Sequence, residues 1–225
     1  MLAKLLTLFL SLLALGQGTI DAYVDQMSLG GNLFLVNRSY MISEDYAPRD
    51  LVKPNVPMTN SSITMRKEAA GALEKMFAAA EAEKGYRLIA VSGYRSYGQQ
   101  SAIFERKVKA VGKKAAMLLV APPGSSEHQL GLAMDLGCKR NSSLTESFGN
   151  TDEGAWVREN CARFGFIIRY KAEWTETTGY SYEPWHVRYV GEEHAQRIAE
   201  MDIPLEDYIA QLRRAKDTLA ARGEE

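Results

Sequence analysis

The fold class that the sequence predicts is α+β, with a small, mainly antiparallel sheet flanked by helices. Short apolar runs with strand character alternate with longer segments whose apolar residues recur at helical spacing. The chain has 225 residues, enough for one sizeable core and too few for two ordinary domains. Its composition, 46% hydrophobic and 24% charged, is typical of a globular protein. These observations together predict a single domain.

The charge balance argues against one class of partner, the nucleic acids. The formal net charge is −1, so the chain has no basic excess with which to neutralise phosphates. The sequence also contains no Gly-rich phosphate loop and no internal repeat. We therefore expect no nucleic-acid partner.

Residues 1–18 are predicted to form a signal peptide. Lys4 precedes an apolar run over residues 5–15, and Gly and Gln residues close this run at 16–18. The run is too short for a comfortable membrane span. We therefore expect an exported protein, located in the extracellular space, the cell wall or the periplasm, with no stable membrane span after cleavage. An uncleaved N-terminal anchor is the alternative.

Residues 19–60 are predicted to be an extended strap that leads into the main domain at 61–221. Pro48, Pro54 and Pro57 disfavour a helix in this part of the chain. The apolar patch at 33–36 is the one place in the strap where we expect a strand.

The first half of the main domain is predicted to alternate helix, strand and helix. Polar residues at 60–62 are suited to open a long helix, which Gly85 would close. Residues 86–92 predict a buried strand. Ser96 and Gln99 form a possible capping box for the next helix, whose inner face would include Ile103, Phe104, Val108 and Val111.

The second half is predicted to add three helices and two strands, and the second of these strands covers 187–190. A helix begins near 151–153 and ends at Gly165, and a strand follows at 166–170. Two amphipathic helices follow Gly191. His194, near the start of the first of them, is expected to be a surface residue.

The chemistry-bearing residues concentrate in two short stretches, 126–135 and 183–186. His128, Asp135 and His186 supply two imidazoles and one carboxylate, a ligand set suited to Zn²⁺. Three protein ligands leave a fourth position for water, which is typical of a catalytic zinc site. We therefore predict one zinc ion per chain.

The residues around these ligands suggest how the site is built. Glu183 lies three residues before His186 and is not needed as a ligand, so it is the predicted general base. His128 and Asp135 lie seven residues apart, and a turn near Gly131 must redirect the chain to aim both at one point. Gly131 and Ala133 are small enough to let the backbone approach closely beneath the metal.

The two cysteines, Cys138 and Cys161, leave two interpretations open. They can pair in an oxidising compartment and tether the segment after Asp135 to a helix. Alternatively, Cys161 fills an apolar helix face and Cys138 stays free.

The two motifs, SxHxxGxAxD and ExxWH, resemble the signature of the zinc D-alanyl-D-alanine carboxypeptidases of the VanY type. That family belongs to a group with the lysostaphin-like peptidases and the hedgehog signalling domain. The similarity extends over roughly 33–191. The segments that carry it are 35–37, 45–48, 92–97 with Gln100, and 182–191.

The resemblance implies hydrolysis of the C-terminal D-Ala from peptidoglycan stem peptides. Glu183 would accept and return a proton, and Arg95 would bind the substrate carboxylate or stabilise the negative charge that develops during attack. Gln100 and Ser126 match positions that contact the terminal D-amino acid. Ser126 has an alternative role as a turn residue that supports His128.

The same site residues suit other activities as well. Related sequences act as L,D-carboxypeptidases on tetrapeptide stems or as D,D-dipeptidases, and the choice depends on pocket walls. A zinc-stabilised binding module without turnover is an alternative of another class. The presence of both Glu183 and Arg95 argues against it.

Overall fold

The computed structural model describes residues 2–223. Its helices are α1 (Leu2–Leu13), α2 (Gln17–Asp25), α3 (Lys67–Lys84), α4 (Tyr97–Val111), α5 (Lys113–Leu119), α6 (Asp152–Asn160), α7 (Thr175–Thr178), α8 (Glu192–Met201) and α9 (Leu205–Gly223). Its strands are β1 (Leu51–Val52), β2 (Met65–Arg66), β3 (Leu88–Ser92), β4 (Ala133–Cys138), β5 (Phe166–Tyr170) and β6 (Glu183–Tyr189). Short 3₁₀ helices lie at Glu127–Leu130, Glu146–Asn150, Cys161–Phe164 and Ala172–Trp174.

A four-stranded sheet in the order β3-β4-β6-β5 forms the centre of the molecule. Every neighbouring pair is antiparallel, which confirms the predicted fold class. The register places Asp135 of β4 opposite His186 of β6, and Ser92 of β3 opposite Asp135. The sheet thus brings together the two sequence motifs, which lie some fifty residues apart.

The two faces of this sheet have different characters, because side chains alternate along each strand. Met134 and Leu136 of β4, with Val187 and Tyr189 of β6, belong to the main hydrophobic core under α3 and α6. Intervening residues point to the opposite face, where the polar and charged side chains are nevertheless buried. The charged or ionisable residues of this second face are Asp135, Arg169, His186 and Arg188.

A second apolar cluster joins α1, α2, α8 and α9. In α1, Leu8, Phe9 and Leu12 are buried, whereas Leu2 and Leu6 are exposed. The predicted signal segment therefore forms a helix that packs against α9, and the predicted cleavage remains an expectation. Among residues 2–223, no single helix is long and apolar enough to cross a membrane. Helices α1 and α2 together have the required length and composition, but the angle between them is 111°.

The strap differs from its predicted form at three places, one of which is the short strand β1 (Leu51–Val52), where no strand was predicted. Residues 17–25 are helical in α2, and 33–36 form no strand. The apolar side chains of Leu33 and Leu35 are buried against the second cluster, so packing, and not sheet pairing, explains their hydrophobicity.

The long helix α3 ends at Gly85 as predicted but begins later than predicted. Gly85 adopts a left-handed conformation with φ 69°. Asn60 accepts hydrogen bonds from the backbone N–H and the hydroxyl of Ser62, which favours a local turn over a helix start. The helix therefore begins at Lys67, after β2.

Helix α4 has the predicted capping box, but of its predicted inner face Ile103, Phe104 and Val108 are only half-buried. The Ser96 hydroxyl accepts from the Gln99 N–H, and the Gln99 side chain accepts from the Ser96 N–H. Val111 is 45% exposed, and Gln100 is the buried residue of this helix. The helix lies at the edge of the site, and its buried side chain is polar because it belongs to that site.

The structure corrects the prediction for His194 and bears on the cysteine pairing, which the sequence left open. His194 is buried, and its Nδ1 lies 2.8 Å from the Tyr208 hydroxyl, so it is not a surface residue. Cys138 and Cys161 are both buried free thiols, which favours the interpretation without a bridge.

Candidate active site

The second face of the sheet and the loops at its edge build the site. The 3₁₀ helix Glu127–Leu130 ends at Gly131, whose φ of 68° reverses the chain direction. This turn allows both His128 and Asp135 to face the same point, as predicted. A Cβ on Gly131 would meet Leu51 and Arg66, so its small size serves packing against the strap and not the approach to a metal.

His128, Asp135 and His186 form a compact ligand set. Their candidate ligand atoms all lie within 4.8 Å of one another, and all three residues are buried. The Nε2 atom of His128 is 3.3 Å from one Asp135 oxygen, and Nδ1 of His186 is 3.0 Å from the other. Ligands about 2.0–2.1 Å from a tetrahedral Zn²⁺ are separated by about 3.3 Å, so the donor atoms fit that ion.

The hydrogen bond of His128 leaves one ring nitrogen for a metal. Its Nδ1 lies 2.7 Å from the Gly93 carbonyl oxygen, which can only accept, so Nδ1 carries the proton. Burial and the Arg95 charge lower the pKa of His128 to about 4. The ring is therefore neutral at pH 7, which is the form that binds metals.

The other two ligands are strongly coupled. Although burial opposes ionisation, the neighbouring His128 and Arg95 hold the pKa of Asp135 well below its usual range. Burial lowers the pKa of His186, but hydrogen bonds to the Asp135 and Glu127 carboxylates outweigh it and raise this pKa to about 9. These two carboxylates thus favour a positive charge at the ligand set.

Glu183 has the environment of a general base. It begins β6, and its Oε2 atom is 3.8 Å from Nδ1 of His186, on the metal side of the ring. Burial is the largest influence on its pKa, which is raised to about 7. A carboxyl group with a pKa near neutrality can both take and return a proton.

Arg95 lies at the junction of β3 and α4, where its side chain reaches the ligand set. Its Nη2 donates to Asp135 at 2.6 Å, its Nε donates to the Ser92 hydroxyl at 2.9 Å, and its Nη1 is 3.5 Å from the Gln100 side-chain oxygen. Gln100 is fixed in turn, because its amide donates to the Ala121 carbonyl at 2.7 Å. Ser126 is buried beside them, and its hydroxyl makes no capping hydrogen bond to the following turn.

All the predicted site residues line one cavity of about 270 Å³. These residues are Arg95, Gln100, Ser126, His128, Asp135, Glu183 and His186. The aromatic rings of Tyr170, Tyr180 and Trp185 also line the cavity, as does Leu144 in the loop after β4. A charged metal site with aromatic walls is suited to a small peptide with an anionic end.

Several lining residues were not predicted from the sequence, and Glu127, Tyr170 and Tyr180 are among them. Glu127 is fully buried, and its charged neighbours hold the pKa of this carboxyl far below its usual range even though burial opposes ionisation. The signal for it was an acidic residue directly before a predicted ligand. The tyrosines stand in or beside a Tyr-rich loop, which only the folded chain brings to the cavity.

Comparison with known proteins identifies the family. The model of the VanY family, described as D-alanyl-D-alanine carboxypeptidase, matches residues 62–192. YodJ of Bacillus subtilis, a protein named as a carboxypeptidase, is 46% identical over 187 residues, which cover 81% of this chain and 68% of YodJ.

Solved structures of similar proteins agree with this match. The LD-carboxypeptidase LdcB is 46% identical with a TM-score of 0.76, over 81% of this chain and 87% of LdcB. A D,D-pentapeptidase VanY solved with Zn(II) is 38% identical with a TM-score of 0.67, over 79% and 98% of the two chains. VanYB solved with D-alanine-D-alanine is 38% identical with a TM-score of 0.68, over 80% and 97%.

The matched region contains the candidate ligand set together with Glu183 and Arg95, and the donor atoms have a spacing that suits zinc. The chain belongs to the VanY family of D-alanyl-D-alanine carboxypeptidases and is a zinc metallopeptidase.

Proposed function

We propose that this enzyme removes the C-terminal D-alanine from peptidoglycan stem peptides, outside the cytoplasm, during maturation or remodelling of the cell wall. The observation that carries the proposal is the convergence of the zinc ligands, the base and Arg95 on one cavity of about 270 Å³. The complex of VanYB with D-alanine-D-alanine supports the same class of substrate. The predicted signal segment at residues 1–18 supports the location.

The substrate would enter with its C-terminal carboxylate toward the cationic part of the cavity. Arg95 provides a guanidinium there, and Gln100 and Ser126 offer an amide and a hydroxyl within the same wall. Because Arg95 is held by Asp135 and Ser92, its charge is fixed before the substrate arrives. This arrangement favours a terminal residue with a free carboxylate over an internal peptide bond.

The chemistry needs an activated water and a proton acceptor. His128, Asp135 and His186 would hold Zn²⁺, which would supply a Lewis acid that activates water and polarises the scissile carbonyl. Glu183 takes the proton of the attacking water and then returns it to the leaving amine. Arg95 stabilises the negative charge that develops on the carbonyl oxygen or holds the terminal carboxylate in place.

A second candidate activity, L,D-carboxypeptidase, is favoured by a specific observation. The similarity to LdcB, an LD-carboxypeptidase, is 46% in sequence with a TM-score of 0.76, above the values for the D,D-pentapeptidase VanY. The two activities use the same metal and base but differ in the penultimate residue of the substrate.

Mass spectrometry of two synthetic stem peptides separates these activities. The proposal predicts release of D-alanine from a pentapeptide that ends in D-Ala-D-Ala. Release from a tetrapeptide with a single D-Ala, and not from the pentapeptide, would assign the L,D activity instead. Hydrolysis of free D-Ala-D-Ala alone would make the enzyme a dipeptidase and contradict both.

A further inference from the structure

The metal ligand His186 has a second hydrogen-bonding partner on the side of its ring away from the zinc position. Its Nδ1 faces Asp135, and its Nε2 lies 3.2 Å from Oε2 of Glu127. Glu127 has no exposed surface on its side chain. The contact is therefore shielded from bulk solvent.

The other carboxylate oxygen of Glu127 is bound by two arginines. Its Oε1 accepts from Nε of Arg169 and from Nη1 of Arg188, each at 2.8 Å. Charge-assisted hydrogen bonds of this length hold the carboxylate ionised and in one orientation. As a result, Oε2 is presented to the histidine as a fixed acceptor.

The two arginines keep strong partners even without Glu127. Arg169 forms a two-point contact with the Glu206 carboxylate at 2.6 and 2.9 Å. Arg188 donates to the backbone carbonyls of Asn32, Phe34 and Tyr189. By contrast, within residues 2–223 Glu127 is the sole hydrogen-bond partner of Nε2 of His186.

We propose that Glu127 is a positioning residue for zinc binding: its carboxylate accepts the Nε2–H of His186 and thereby fixes the ring with Nδ1 free for the metal. A neutral imidazole carries one proton, and the partner of one ring nitrogen decides which nitrogen binds the ion. A carboxylate behind a ligating histidine also makes that ligand more basic. The inference rests on the metal site, and it does not depend on which peptide the enzyme cleaves.

The substitution Glu127→Gln tests this assignment with almost no change of volume. The amide oxygen is expected to turn toward the two arginine donors, so the NH₂ group faces Nε2 of His186. Nε2 must then accept, the proton moves to Nδ1, and the nitrogen that should bind zinc is blocked. We expect zinc affinity to fall about 10- to 100-fold, measured by competition with a chromophoric chelator without substrate.

Glu206→Gln is the matched control, because it removes a carboxylate from the same arginine without contacting His186. It is expected to lower the thermal midpoint of the zinc-free protein while changing the zinc dissociation constant by less than about twofold. The proposal would be overturned if Glu127→Gln bound zinc as tightly as the wild type and lost about as much thermal stability as Glu206→Gln. Glu127 would then have a purely structural role.

A measurement on the wild-type protein keeps the test open if Glu127→Gln does not fold. The chain has only three histidines, so the ¹⁵N-labelled imidazole spectrum of the zinc-loaded protein is simple. The proposal predicts that His186 has zinc on Nδ1 and a proton on Nε2 that exchanges slowly with solvent. A spectrum with zinc on Nε2, or with no protected Nε2 proton, would contradict it.

Discussion

At the scale of single residues, the carboxyl group of Glu183 links the geometry of the site to its chemistry. It lies 3.8 Å from Nδ1 of His186, and burial raises its pKa to about 7 in the metal-free protein. It contributes no atom to the ligand set of two histidines and one aspartate. Its removal should therefore affect turnover and not metal content.

The variant Glu183→Gln is expected to bind about one zinc per chain and to lose roughly 10²- to 10⁴-fold in kcat. The reason is that an amide cannot accept the proton of the attacking water. Metal analysis and steady-state kinetics on the same sample check this prediction. A variant that kept its zinc and most of its turnover would assign the base to another residue.

The pH dependence of the wild-type enzyme follows from the same carboxyl group. Only the ionised form accepts a proton, so kcat/KM should be high above the pKa of Glu183 and fall as the pH drops through it. A bound divalent cation favours the carboxylate, so the acid limb is expected somewhat below pH 7. Measurement of kcat/KM from pH 4.5 to 8 tests it, and activity that rises toward pH 5 would contradict this role.

At the scale of elements, a buried histidine joins the helices that cover the second cluster. His194 of α8 hydrogen-bonds Tyr208 of α9, and its ring packs edge-on against Tyr23 of α2 at 4.5 Å between centroids. Burial lowers the pKa of His194 to about 4. The packing of these helices therefore favours the neutral ring.

This helix cluster should lose stability in mild acid. An unfolded histidine has a pKa of about 6.5, so the stabilisation is complete above that pH and is lost as the pH falls toward 4. The pKa difference corresponds to at most roughly 3 kcal/mol. Urea unfolding of wild type and His194→Gln at pH 7 and 4.5 measures the effect. We expect the wild type to lose more stability than the variant, and equal losses would contradict the assignment.

The sequence predicted some elements better than others, and the reason lies in the range of the interactions. Ser96 with Gln99 and the glycine at 85 act through neighbouring residues, so their roles were readable. The burial of His194 depends on α2 and α9, which are distant in the sequence. Residues 33–36 were predicted to form a strand because they are apolar, and composition alone does not distinguish a buried coil from a short strand.

The sequence predicted those site residues whose type and position in a motif indicate a chemical role. The candidate ligands, Glu183 and Arg95 line the same cavity, as the family resemblance implies. Glu127 was not recognised, because an acidic residue beside a histidine acquires meaning only when Arg169 and Arg188 are seen to hold it. Long-range ion pairs of this kind leave no local pattern in the sequence.

At the scale of the whole molecule, the catalytic face and the N-terminal helices are separate parts of one fold. Two of the candidate zinc ligands, Asp135 and His186, lie on the sheet, and His128 lies in the 3₁₀ helix before β4, whereas α1 contacts α8 and α9 at the second cluster. Cleavage after residue 18 would remove α1 and uncover apolar surface on α9. Protein lacking residues 1–18 is thus expected to keep its zinc affinity while losing about 2 kcal/mol of stability.

Zinc titration and thermal unfolding of the full chain and of the shortened protein check this separation. A large loss of zinc affinity on removal of residues 1–18 would show that the N-terminal helix supports the site. Unchanged stability would show that the packing of α1 contributes little to the fold.

The most direct test of the account is the release of D-alanine from synthetic stem peptides by wild-type enzyme before chelation, after chelation and after zinc is returned. The account predicts release that disappears with the metal, returns with added zinc and is absent from zinc-loaded Glu183→Gln. Release that survives chelation, or no release from either peptide by protein with zinc bound, would contradict it.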